Sequence, residues 1–214
     1  MRKPFIAPRI PEQFPIAELK IFIDVHKDGV LISSFADRSH TWNRNFWNYI
    51  LCHLLRLPIV ATNFAAGYLS LKRTSAAVTA LTGDNVMASP VAAAGDVNAG
   101  IIVGTGTTAE SFESYAIATL IAHGTTANKL SYGAQTTPDQ SYNSGSKTWT
   151  CTMSRAFTNT SGGAIVIAEI AIIWTIAVLS YYYMFNRDLL VSTVNVPNNA
   201  VATVSYTFTL ILPA

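Results

Sequence analysis

Charged side chains are scarce in this sequence. Lys and Arg number 14 and Asp and Glu 12 among 214 residues, so charge occupies 12% of the chain and the net value is +2. Soluble domains usually devote about 25% of their residues to these four types. A near-neutral balance argues against a protein that works by wrapping nucleic acid, which needs a basic stripe. Glycine and proline are also few, 12 and 9, while 50% of the residues are hydrophobic, which argues against a disordered, low-complexity chain. The two cysteines, Cys52 and Cys151, form neither a CxxC motif nor a metal-ligand pair. Both read as small buried hydrophobes, and nothing in them points to an oxidising compartment.

Long apolar runs are nearly absent too. Ala164 to Leu179 is the longest, interrupted by Glu169 and Thr175, and it falls short of the roughly 20 residues a spanning helix needs. Tyr181 to Phe185 extends it, so membrane association through 164–185 stands as an alternative. The preferred reading is a buried strand pair, because the run is rich in Ile and Val and a carboxylate is costly at mid-bilayer. Met1-Arg2-Lys3 leads into a proline-broken segment instead of an apolar stretch, so no signal peptide is expected.

What is present reads as mainly β. Residues 1–16 carry Pro4, Pro8, Pro11 and Pro15, which favours an extended arm. Its apolar residues Phe5, Ile6, Ile10 and Phe14 suit docking on a neighbouring subunit. Residues 17–214 form one expected domain. It begins with a hairpin over 19–35 that turns at Asp28-Gly29, where positive φ is needed. Thr41 to Leu57 repeats its apolar residues at helical spacing and stops at Pro58, with Ser39 or Thr41 as the expected cap. Residues 74–99 are small, Ala-rich and Gly-punctuated, a loop-rich insertion. Period-two alternation then marks Lys147 to Phe157, with Trp149, Cys151, Met153 and Phe157 on one face, and Val201 to Leu212, with Val204, Tyr206, Phe208 and Leu210 on one face. One amphipathic helix among many strands describes an antiparallel, jelly-roll-like β-sandwich.

Signals of chemistry are weak. Gly104-Thr105-Gly106-Thr107-Thr108-Ala109 fits the dinucleotide fingerprint, and Glu110 to Ile121 could follow as a helix. The acidic residue expected about 20 positions on is missing, Lys129 standing there, so a Gly-rich turn between strands is the better account. His53 lies on the apolar face of the helix and reads as a core histidine. No HExxH or G-x-S-x-G motif exists, so neither an enzyme nor a cofactor is expected. Glu169 is the only charge between Arg155 and Arg187. A lone carboxylate in a buried strand is severely destabilising unless paired, so Glu169 is expected to pair with Arg155 or Arg187.

Several strings carry a resemblance. Ser154-Arg155-Ala156-Phe157-Thr158-Asn159-Thr160-Ser161-Gly162-Gly163, Glu169-Ile170, Arg187-Asp188, Val194-Asn195-Val196-Pro197 and Val204-Ser205-Tyr206-Thr207 follow one another in the C-terminal half. Together they resemble a β-sandwich module found in tailed-phage and prophage virion structural proteins. The upstream Gly-Thr-Gly-Thr-Thr with Ser111-Phe112-Glu113-Ser114-Tyr115, and the hairpin followed by Arg44-Asn45-Phe46, are similar to the earlier part of the same proteins. The resemblance implies a non-enzymatic subunit of a virus particle, from capsid, decoration, neck or tail. Its expected location is the virion and its partners are copies of itself and other virion proteins. The alternative is a carbohydrate-binding module on the particle exterior, using exposed aromatics to hold a surface glycan. The charge shortage is local: residues 1–56 hold 13 charges and the 101 residues from 114 onward hold seven. Neighbours are therefore expected to pack on the β-body.

Overall fold

A computed structural model describes residues 16–39, 41–55, 70–79, 88–176 and 181–212. The chain enters as a hairpin, β1 (Ile16–Lys27) and β2 (Val30–Arg38). Its turn places Asp28 at φ 52° and Gly29 at φ 78°, the left-handed pair that matches strand twist in a two-residue loop. Helix α1 spans Arg44–Leu55, inside the expected 41–57. Its cap differs from expectation: the Asn43 side chain accepts from the Phe46 amide at 3.3 Å. Ser39 and Thr41 are drawn off by tertiary partners, Asp188 and the Arg187 carbonyl.

Two short strands follow, β3 (Leu71–Lys72) and β4 (Val78–Thr79), paired with each other, so the start of the expected 74–99 insertion is a small hairpin. Then come β5 (Gly100–Gly104), β6 (Ser131–Gln135), β7 (Asp139–Asn143) and β8 (Thr148–Thr158). The last three are long: β9 (Ile165–Ile176), β10 (Tyr181–Val196) and β11 (Ala200–Ile211).

The large sheet has the order β2-β1-β11-β8-β6, with β7 also on β8, and the smaller sheet the order β10-β9-β5. Every pairing between these strands is antiparallel. One core joins the inner faces: Ile21, Ile23, Val204 and Tyr206 from the large sheet meet Ile101, Val103, Ile167 and Ile170 from the small one. A second cluster, Leu71, Ile176, Tyr183 and Phe185, lies under α1 through Phe46 and Tyr49. The fold is mainly β and sandwich-like, with a sheet of six strands facing one of three among the described residues. The apolar run 164–179 is thereby explained as far as it is described. Strand β9 is central in its sheet and buried along most of its length, so alternation disappears from its sequence. Among the described residues, no helix is long and apolar enough to cross a membrane.

Candidate functional site

The most organised polar structure is a buried layer built around β9 and β10. In their ladder Glu169 faces Leu189 and Ala171 faces Arg187, so Glu169 and Arg187 are diagonal neighbours on one face of the sheet. Arg187 Nε donates to Glu169 Oε2 at 2.7 Å, and both side chains are buried. The carboxylate also accepts three backbone amides: Gly106 N at 3.0 Å, Ala118 N at 3.0 Å and Thr119 N at 2.7 Å. Arg187 Nη2 donates onward to the Thr108 carbonyl at 2.8 Å. An internal anion therefore gathers the 104–119 segment as a bound phosphate would gather a nest of amides.

This arrangement accounts for the glycines of the Gly-Thr-Gly-Thr-Thr string. A Cβ on Gly106 would stand 2.2 Å from Glu169 Oε1, and one on Gly104 2.5 Å from the Thr119 carbonyl. The backbone can approach the carboxylate only where no side chain intervenes. Residues 105–119 contain no helix, and the Gly106 amide is already engaged, which fits a turn and not a dinucleotide loop.

Arg155 is placed elsewhere. It lies on the inner face of β8 beside Met153 and Phe157, and its guanidinium donates to five carbonyls. These are Gly133 at 2.9 Å, Ala99 at 3.0 Å, Ile101 at 2.9 Å, Ala93 at 2.9 Å and Asp96 at 2.6 Å. All five donors of the group are thus used. Burial pushes its pKa down, opposed by Tyr132 and Asp96. Of the two arginines expected as partners of Glu169, the structure brings up Arg187 and gives Arg155 the separate task of holding the 93–101 segment.

A third cluster escaped the sequence reading. Tyr206 OH lies 3.0 Å from Asp188 Oδ2 and 3.1 Å from Asn186 Oδ1, all three buried. Asn186 Nδ2 donates to Ser39 Oγ at 2.7 Å and to the Thr41 carbonyl at 3.0 Å, tying the chain ahead of α1 to β10. Burial, then the Asp188 charge, raises the Tyr206 pKa well above its ordinary value. A tyrosine on the apolar face of β11 needs a partner for its hydroxyl, and that was the available signal.

Other expected residues lie at the surface. His53 is exposed, with Nδ1 2.9 Å from the Tyr49 carbonyl, which corrects its reading as a core histidine. Cys52 and Cys151 are half-buried, less enclosed than the buried hydrophobes expected from the sequence. Phe5, Ile6, Ile10 and Phe14 lie outside the described residues. Among the described residues, no group of three or more His, Cys, Asp or Glu could hold a metal ion. Among the tryptophans, Trp42 stacks on Phe46, Trp149 packs edge-on to Phe208 and Trp174 lies against Phe185, while Trp47 is exposed.

Three sheet edges are closed by the chain's own backbone. Asn43 and Thr74 amides donate to β10, Ile121 and Thr105 bond along β5, and Ala92 and Gly95 bond along β6. Among the described residues, β2 pairs only with β1, leaving its other edge open beside Val30, Leu31 and Ile32, which are 63%, 52% and 47% exposed. Across β8 and β11 the outer face of the large sheet is a field of hydroxyls in register, Ser205 opposite Ser154, Thr207 opposite Thr152 and Thr209 opposite Thr150. Comparison with family models, with curated proteins and with solved structures finds no match to this chain.

Proposed function

We propose that this chain is a structural subunit of a virus particle, working through contacts with copies of itself and with other particle proteins. The observation that carries self-association is the β2 edge, the side of a nine-residue strand left without a ladder partner among the described residues, with three exposed apolar side chains beside it. Proteins usually blunt such edges with charge, proline or cover, because an open edge pairs with other chains. Among the described residues the edges at β10, β5 and β6 are covered, while β2 and the shorter β7 each pair on one side only, and β2 is the longer of the two and carries the exposed apolar side chains. The particle assignment draws on the resemblance of the C-terminal strings to virion β-sandwich modules.

Two further observations support the reading. The buried polar clusters tie loops to strands and stiffen the body, as suits a subunit that must present fixed faces. On β8 and β11 the outer sheet face displays Thr and Ser without charge, and interface cores are depleted of charge, whereas β1 and β2 carry Glu18, Lys20, Asp24 and Arg38 on that face. Mass measurement by light scattering across a range of concentrations tests the reading: higher-order species should grow with concentration. A strictly monomeric species at every concentration would overturn it.

A further inference from the structure

We propose that the open edge of β2 receives the N-terminal segment of a second copy of this chain, residues 4–15, as an added strand. This rests on the self-association proposed above and gives it a surface. The edge is nine residues long, about 30 Å of strand. The sequence ahead of Ile16 is 15 residues, with a reach of about 50 Å when extended, enough to leave one molecule and run along the edge of another.

The proline spacing of that segment suits one-sided pairing. Along a strand, alternate residues turn their N–H and C=O to the same side. Pro4 and Pro8 share one parity and Pro11 and Pro15 the other. In the first stretch Phe5, Ala7 and Arg9 keep their donors on one side; in the second Ile10, Glu12 and Phe14 do so. In a regular strand these two sets would face opposite sides, and a one-residue bulge between Arg9 and Ile10 turns both to the same side, where each stretch can join the ladder while the prolines remove donors from the other side. Such a strand adds once and stops further addition, which converts an open edge into a closed one. Phe5, Ile10 and Phe14 fall on the pairing positions, where their side chains can cover Leu31 and Ile32.

A second copy suits the geometry better than the same molecule. Strands β1 and β2 are antiparallel and adjacent, so a segment folding back along its own β2 would have to run parallel to it. It would also have to cross the end of β2 just before Ile16, where Pro15 biases Phe14 to extended backbone. A second copy needs no such reversal and permits antiparallel pairing, the more stable ladder.

The test uses the full chain, a variant lacking residues 1–15 and a fluorescein-labelled peptide of residues 1–15. The peptide should bind the shortened protein saturably. Ile32→Lys should weaken that binding on the order of tenfold by charging the edge, with an unchanged urea midpoint showing that the fold survives. N-methylation of the Ala7 and Glu12 amides should abolish binding, while N-methylation at Ile6 and Gln13, on the other side, should leave it intact. Equal loss from both peptides, or indifference to Ile32→Lys, overturns strand addition at β2. A monomeric full chain that refuses the peptide puts the segment on its own edge and overturns the second-copy assignment. Assembly that survives removal of residues 1–15 overturns this inference while leaving the particle-subunit reading standing, whereas a full chain monomeric at all concentrations defeats that reading itself.

Discussion

Replacing Glu169 by Gln keeps the shape of the side chain and removes its charge, so it isolates what the carboxylate contributes. Four donors converge on its two oxygens, the guanidinium of Arg187 and the amides of Gly106, Ala118 and Thr119. Glutamine offers one acceptor oxygen and turns an NH2 group, itself a donor, toward the rest. Arg187, almost fully buried, is left with carbonyls and no anion. Breaking a buried pair from one side costs about 3–5 kcal/mol, against a total of about 5–15 kcal/mol for a typical domain. In urea, where m is about 2–3 kcal/mol/M for a chain of this size, the midpoint should fall by about 1–2 M with little change in slope. The companion variant Glu169→Gln with Arg187→Met removes the stranded cation and should recover part of the loss. A single Glu169→Gln variant within about 1 kcal/mol of the parent, beyond the range of a broken buried pair, would refute the reasoning.

Two other perturbations follow from the same geometry. Gly106→Ala forces a methyl group to 2.2 Å from the Glu169 oxygen, whereas Gly29→Ala meets nothing within 4 Å and suffers only from its φ of +78°; thermal unfolding should show the first well below the second, whose cost is about 1 kcal/mol. Burial raises the pKa of Tyr132 and Tyr206 above the ordinary tyrosine value. These hydroxyls ionise more readily in the unfolded chain, so stability from this source is fully present below about pH 10 and is lost as pH rises toward the folded values. Urea midpoints measured from pH 7 to 12 should hold level and then fall, and Tyr132→Phe should flatten the decline; a midpoint indifferent to alkali would contradict the assignment.

Much of the frame was legible in the sequence because it rests on local chemistry. Asp28-Gly29 announced the first hairpin, helical spacing announced α1, and a solitary carboxylate in an apolar run announced the need for a buried partner. What escaped depends on backbone atoms and distant contacts. Arg155 sits on the apolar side of an alternating strand, a visible anomaly, yet its partners are five carbonyls, and a carbonyl has no residue type. The stretch 93–101 looks featureless for the same reason. Ser39 and Thr41 are good caps by propensity, but β10 competes for their hydroxyls and leaves the helix to Asn43. The edge strand β2 was readable as half of a hairpin, whereas its lack of a second partner among the described residues is a property of the whole strand order.

The cradle around Glu169 also bears on how the chain reaches its fold. Arg187 is 18 residues from Glu169, within one hairpin, while the amides of Thr119, Ala118 and Gly106 lie 50, 51 and 63 residues away. Distant contacts repay their loop-closure entropy only after nearer ones have formed. The β9–β10 hairpin with its ion pair is thus the earlier unit, and the 104–119 segment closes over a carboxylate already held in place. Gly106→Ala should accordingly leave the refolding rate nearly unchanged and act by hastening unfolding, the kinetic signature of a segment that is still open in the transition state.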